Sequence, residues 1–492
     1  MLSWHQVSSV FDELRKAFTL HPSILAIFRV GLGSLIVVDV LLRLRNLRYF
    51  YTDYGVTPRA LFDLPGNWSL HMISGEPWFA ALLFGLQLLF GICLLVGYHT
   101  KISKFASFLL LLSLHLRNDL VISYADTLLR IFLFWSLFLP LSRRFSFDQF
   151  MADEAISTSE EGVFSFASVM ILVQPITMYL VNGVHKLGES AWTTGIAPRI
   201  VLGTDYLNWL LAETLLKFPT LLEWGSWAWL FGIFTSPLLL LPYDRLRRIL
   251  IFSLMVFHLT MGLTLRLGAM PYVSMLGLCL FLPGKDGEYI LNQVRSWSPN
   301  LSLRRSWFTF DYTFTDRWYV TMGKWLVFTL ILLNFVFSNA ASLDLIDESH
   351  RLDVALGIEY VLNYYLGIAQ PSWDFYSDLK GMDGYFAFKA NTTKGVRDIY
   401  NDRPWSLSRP SKDLFSQLPR TYRERFYLSP DTAGAAPEKQ LRYLGRYLCD
   451  ERNITGGKIE MYTVVELIRR PEDTINHTGR ARQHVKFFSH TC

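Results

Sequence analysis

Apolar positions fall in long unbroken runs, not in the short alternations that mark an ordinary water-soluble fold. Crossing a hydrocarbon core about 30 Å thick takes about 20 apolar residues. Runs of that size lie near residues 24–44, 78–98, 121–141, 164–186, 222–242, 249–267 and 323–340, and two shorter ones near 102–116 and 269–284. The short pair fits buried hairpin helices, because a segment packed inside a bundle need not span alone. The pattern predicts an all-α polytopic membrane bundle of about nine spans over residues 21–340. Residues 1–20, MLSWHQVSSVFDELRKAFTL, mix acids and bases, with no small-residue cleavage site after the first apolar run. They read as an amphipathic segment on the membrane surface, not as a signal peptide.

Beyond residue 341 charge rises and Pro and Gly appear. Strand-like runs occur at GYFAFKA (384–390), KIEMYTVVELI (458–468) and HVKFF (484–488), with a helical LRYLGRYLCDE (441–451) among them. Residues 341–492 are therefore expected to form an extramembrane α/β, β-rich domain. Composition narrows the class further. Hydrophobic residues make up 51% and charged residues 18%, where about 25% charged is usual for soluble domains. A disordered chain, a coiled coil and an ordinary soluble enzyme are excluded. A net charge of +5 without a basic cluster gives no reason to expect nucleic acid.

Orientation follows from short-loop cations. Arg15 and Lys16, Lys101 and Lys104, Arg143 and Arg144, Arg245, Arg247 and Arg248, and Arg304 and Arg305 all fall on one side of a nine-span drawing. That side is expected to be cytoplasmic, which puts the N-terminus inside and the C-terminal domain outside, in a periplasm or an ER-type lumen. Cys449 and Cys492 then share the oxidising side, where a disulfide and two free thiols are both open. The four cysteines are too scattered for a zinc motif. No metal site is expected.

Ionisable residues inside spans are costly and usually face a bundle interior. Asp39 and Arg43 in the first span, and Asp126 and Arg130 in the fourth, are each four residues apart. Each pair shares a helix face and is expected to neutralise itself as a structural ion pair. Lys186 stands at the end of the fifth span and His258 in the seventh. An amine held against apolar helix ends can serve as a general base; the competing reading is a lysine that lifts its amine into the headgroups. Lys186, His258 and the Asn118 turn reach the same depth in the drawing, which predicts one shared cavity at the outer end.

Several segments resemble a known membrane family. FRVGLGSLIVVDVLLR followed by FYTDYGVTPRALF, LHLRNDLVISYADTLLRIFLFWSLFLP, NGVHKLGESAWTTG and FHLTMGLTLRLGAMPYVSM stand in the order found in vitamin K-dependent γ-glutamyl carboxylase and its bacterial relatives, the horizontally transferred transmembrane (HTTM) domain proteins. The resemblance covers about residues 20–340. It implies a reduced vitamin K or another hydroquinone as cofactor, O2 and CO2 as co-reactants, and a glutamate of a peptide or protein as substrate. It makes Lys186 the base and His258 a catalytic partner, with Asn118, His115, His185, Trp192 and Arg266 around quinone or substrate. Two departures accompany it. The vertebrate enzyme carries a histidine in the segment that here reads Arg117-Asn118-Asp119, where the nearest is His115, and its outer part is much longer. Two further readings stay open: an HTTM-family peptide-maturation or export partner with other chemistry or none, and a transporter or lipid-binding protein. Membrane lipid or quinone is the expected partner in the first reading, in a bacterial inner membrane or an ER-type membrane.

Overall fold

The computed structural model describes residues 12–13, 15–62, 68–151, 162–204, 207–296, helical pieces between 329 and 343, and residues 382–410, 438–467 and 481–492. Most of the expected N-terminal amphipathic segment and half of the expected 323–340 span lie outside them.

Eight helices make the bundle: α1 (Pro22–Leu44), α2 (Pro77–Val96), α3 (Thr100–Arg117), α4 (Tyr124–Ser136), α5 (Phe166–Gly188), α6 (Pro219–Thr235), α7 (Asp244–Thr264) and α8 (Met270–Cys279). A ninth, α9 (Gly284–Ser296), packs back on α1. They alternate in direction, so the C-terminal ends of α1, α3, α5 and α7 share one end of the bundle with the N-terminal ends of α2, α4, α6 and α8. Short α8 is largely buried and packs against α1, α4, α5 and α7. Where α1 crosses α2 the backbones nearly touch: a Cβ on Gly33 would lie 2.6 Å from the Leu95 backbone, the small-residue contact common between membrane helices.

Among the described residues four helices, α1, α2, α5 and α7, are long and apolar enough to cross a membrane. Other apolar runs hold shorter helices, and local chemistry sets their ends. The run at 121–141 holds only α4, 13 residues or about 20 Å. Its start is fixed by a capping box between Ser123 and Asp126. At its other end the Lys104 amine donates to Ser136 O and Leu139 O, both at 2.9 Å, a cation closing a helix C-terminus. Lys104 is thus a buried helix cap and not a loop cation. Pro237 likewise ends the regular part of the run at 222–242, where α6 passes into a 3-10 turn, Ser236–Leu240. Arg29, 0% exposed in α1, braces the same end by donating to the carbonyls of Leu141 and Phe145. Gly97, at φ +74°, leaves room for that guanidinium beside the end of α2.

The C-terminal part is one antiparallel sheet in the order β3-β2-β1-β4-β5: β1 (Met382–Thr392), β2 (Gly395–Asp398), β3 (Arg403–Pro404), β4 (Lys458–Leu467) and β5 (Ala481–Thr491). One face buries Phe386, Phe388 and Ala390 of β1 with Met461 and Ile459 of β4, which pair with the last two. Helix α10 (Glu438–Glu451) packs on β5 with Leu441, Leu444 and Leu448 buried, the one-face spacing of an amphipathic helix. A disulfide joins Cys449 of α10 to Cys492, with Cα atoms 5.6 Å apart. Its loop of 43 residues makes the expected loss in Cys492→Ser about 2–4 kcal/mol, read as reduced thermal stability of the sheet. Equal melting with and without reductant would show that the bridge contributes nothing. α10 also meets the bundle: Lys439 donates to Ala60 O, and Tyr447 stands edge-on to Tyr49 at 5.0 Å.

Glu466 is 0% exposed in β4 and accepts from Arg409 and Arg482. Burial alone would raise its pKa, but the hydrogen bonds and charges of the two arginines outweigh it and hold the carboxyl below its ordinary 4.5. A depressed carboxylate contributes stability at pH above that ordinary value and loses it as pH falls through the folded value. Amide exchange in β1 and β4 should therefore speed up below about pH 4.5, beyond the intrinsic pH effect. Glu466→Gln should remove that acid sensitivity; an unchanged pH profile in the variant would contradict the assignment.

Candidate functional site

Polar side chains gather at the bundle end where α1, α3, α5 and α7 finish, and the described contacts form two groups. The first centres on Arg43. Its Nε donates to Asp39 Oδ2 at 2.7 Å, Nη1 to Tyr51 Oη at 2.8 Å and Nη2 to Asp126 Oδ1 at 2.5 Å. All three charged residues are buried. The expected Asp39–Arg43 pair is present, whereas Asp126 does not pair with Arg130. Its second oxygen accepts from the backbone and hydroxyl of Ser123, both at 2.8 Å. That capping role turns the carboxylate toward the start of α4 and away from Arg130 one turn later. Arg130 instead faces His115, Nη1 to Nδ1 at 3.3 Å, and His115 Nε2 lies 3.9 Å from Asp126 Oδ1. The two expected local pairs are in fact one network joining α1, α3 and α4.

Asn118 borders this group, fully buried, with Nδ2 donating to Phe50 O at 3.0 Å and to Thr57 Oγ1 at 3.1 Å. Beside it Asp53 accepts from Arg59 through the backbone at 2.8 Å and through the side chain at 2.7 and 2.9 Å. Burial would raise the Asp53 pKa, but the Arg59 hydrogen bonds and charge more than offset it, leaving the group below the usual carboxylate range.

The second group lies between α5, α6 and α7. Lys186 is 2% exposed, with its amine 4.4 Å from the ring centre of Trp192. Amine over indole face is a cation–π geometry. Trp192 is itself held by Ser226 of α6, whose hydroxyl donates to Trp192 O at 3.0 Å. Tyr179, Asn182 and Lys186 follow at i, i+3 and i+7 on one face of α5, and all three are buried. Tyr179 is hydrogen-bonded to His258 Nε2 of α7 at 2.8 Å, two turns or about 10 Å along the axis from Lys186. Trp229 of α6 stands edge-on to His258 and stacks on Phe257 at 3.6 Å. His258 Nδ1 is buried without a hydrogen-bond partner among the described residues.

The remaining candidates sit around these groups. His185 is half-buried on α5. Arg266 stands over the Trp209 ring at 5.1 Å, beside backbone pairing of residues 207–211 with the end of α7. Sequence reading missed Tyr179 and Tyr51. Tyr179 had a detectable signal, a phenol two helical turns before Lys186 in an apolar run; Tyr51 had none, since only folding brings it to Arg43.

Aromatic side chains thus surround His258, and the buried Lys186 amine lies two helical turns from Tyr179 on the same face of α5. No curated protein and no solved structure is significantly similar to the chain. The HTTM domain matches residues 19–285, more than half of the 492 residues, from just before α1 to the start of α9. By that match the chain belongs to the HTTM domain family.

Proposed function

We propose that the protein is a membrane enzyme resembling vitamin K-dependent γ-glutamyl carboxylase, acting with a reduced quinone, O2 and CO2 on glutamate of a peptide or protein. The observation that carries this reading is Lys186: its amine is buried over Trp192, on the helix face that also holds the Tyr179–His258 pair. An enclosed amine is set up for proton transfer in a way that an amine in bulk water is not. The residues also fit a quinone ring. Trp229 and Tyr179 offer aromatic walls, and His258 Nδ1 is free to meet a ring oxygen.

In this reading Lys186 and the Tyr179–His258 pair would hold a reduced quinone, which together with O2 would supply a base stronger than any side chain. Lys186 takes the first hydroxyl proton. His258 aligns a ring oxygen, and its own ring is held by Tyr179. The apolar wall keeps water from a reactive base. Asn118, His115, His185, Trp192 and Arg266 remain proposed quinone or substrate contacts, and the Asp39–Arg43–Asp126 network fixes α1 against α4. The direct test is purified protein with reduced quinone, labelled bicarbonate and glutamate-containing peptides. Incorporation of label into the peptide is the expected result; none with any tested quinone would reject the carboxylase reading.

The same reading places the active end of the bundle and the C-terminal domain outside the cytoplasm. Support comes from the exposed Trp78 and Trp224 at that end, a typical interfacial position, from the exposed Lys101 at the other end, and from the Cys449–Cys492 bridge, which needs an oxidising compartment. In intact cells a cysteine introduced near Asn453 should react with an impermeant reagent, and one near Arg144 should not. The reverse pattern would invert the topology.

A further inference from the structure

Arg117 ends α3 with its side chain 0% exposed. A guanidinium has five N–H groups. Here Nη2 donates to Thr57 O at 2.9 Å, while Nε and Nη1 have no hydrogen-bond partner among the described residues. The carboxylate within reach is Asp53, 4.0 Å from Nη2, and it is already held by three hydrogen bonds from Arg59. The Phe62 ring covers the guanidinium at 5.6 Å.

Asn118 stands next to it. The Thr57 hydroxyl donates to Phe50 O at 2.7 Å, so its oxygen is the acceptor for Asn118 Nδ2. This fixes the amide orientation and leaves buried Oδ1 as an acceptor without a partner. Both side chains are thus anchored on Thr57, one with spare donors on a cation and the other with a spare acceptor. A buried charge that is only partly compensated in a membrane bundle marks a functional site by default. Away from solvent, charge recognition is also strong.

We propose that Arg117 and Asn118 form a carboxylate-binding site, with the anion on Arg117 Nη1 and a neighbouring O–H or N–H of the same ligand on Asn118 Oδ1. Two sources share that chemistry: bicarbonate, with its O–H, and a glutamyl side chain of a peptide, with its backbone N–H. Either would feed the carboxylation proposed above, but the site stands without that reaction.

The test is thermal unfolding of the full-length protein in detergent at fixed pH and ionic strength, with sodium bicarbonate, N-acetylglutamate α-amide, the neutral N-acetylglutamine α-amide, or chloride. At saturation the wild type should gain about 2–4 °C with a carboxylate probe and nothing with the glutamine analogue or chloride. A response to bicarbonate alone assigns that ion; a response to the glutamyl probe alone assigns the peptide. Arg117→Gln should abolish the gain. Arg117→Lys should need at least about tenfold more probe, because an ammonium lacks the planar set of donors. Lys186→Ala should keep it, so that binding without turnover counts against the carboxylase reading alone. No carboxylate-specific gain in the wild type overturns the site, as does an undiminished gain in Arg117→Gln or, if that variant does not fold, in Arg117→Lys.

Discussion

Lys186→Ala is expected to abolish quinone-dependent turnover while the bundle still folds. Side-chain proton transfer typically contributes about 10²–10⁴-fold to a rate, and a step that begins with deprotonation has no route around its base. Folding should survive because the substitution removes a buried amine together with its desolvation cost, which offsets the loss of the Trp192 contact, worth about 2 kcal/mol. Lys186→Arg should also be inactive, since a guanidinium keeps its proton at any working pH. The pair separates two readings of this position. A lysine kept only for charge or for its place over Trp192 tolerates arginine better than alanine. Activity retained in Lys186→Arg, measured with labelled bicarbonate and a glutamate peptide, would end the base assignment.

Asp126→Asn should be the most destabilising single change in the bundle. It removes the 2.5 Å contact to Arg43 and weakens the cap that starts α4. Taking one partner from a buried ion pair costs about 3–5 kcal/mol, reduced to the extent that Asp39 still holds Arg43. Exposed Lys101→Gln should fall within about 0.5 kcal/mol of wild type. The double variant Asp126→Asn/Arg43→Met should recover part of the loss, because no uncompensated cation is left in the interior. Equal melting temperatures for Asp126→Asn and Lys101→Gln would put Asp126 in contact with water and dissolve the network.

How far these sites could be read beforehand depends on the range of the interaction. The helix ends were visible where a local signal marks them. Pro22, Pro77 and Pro219 each stand at a helix start, where a missing N–H costs nothing. Three strands of the C-terminal sheet, β1, β4 and β5, were visible too, since alternation over several residues reports one buried face; the short β2 and β3 were not. Lys186 and His258 stood out as ionisable groups in apolar runs. Their surroundings did not: the contacts of Trp192 with Lys186, and of Tyr179 and Trp229 with His258, are made after α5, α6 and α7 pack.

Asp126 and Arg130 show the limit most plainly. Spacing puts them on one face, and an isolated helix would pair them. In the folded chain a carboxylate at the third position of α4 is drawn backward by the Ser123 N–H and hydroxyl and outward by Arg43 from another helix. Spacing along one helix cannot record competition from a second. Helix lengths within the apolar runs were hidden for a related reason: hydropathy sums over a run, whereas Ser123, Lys104 and Pro237 set helix ends through a few hydrogen bonds or the lack of one.

Sequence by itself determined the membrane class, the division into bundle and β-rich tail, the ionisable residues within apolar runs and the order of segments shared with the HTTM family. These are properties of composition and local periodicity, which do not depend on the partner a residue finds. Tertiary structure alone decided that Arg43 serves both aspartates, that Lys104 and Arg29 close backbone carbonyls, that Cys449 meets Cys492 and that Arg117 keeps spare donors beside Asn118. Each is a contact between segments far apart in the chain or a donor that finds no acceptor, and both are settled only when the helices pack.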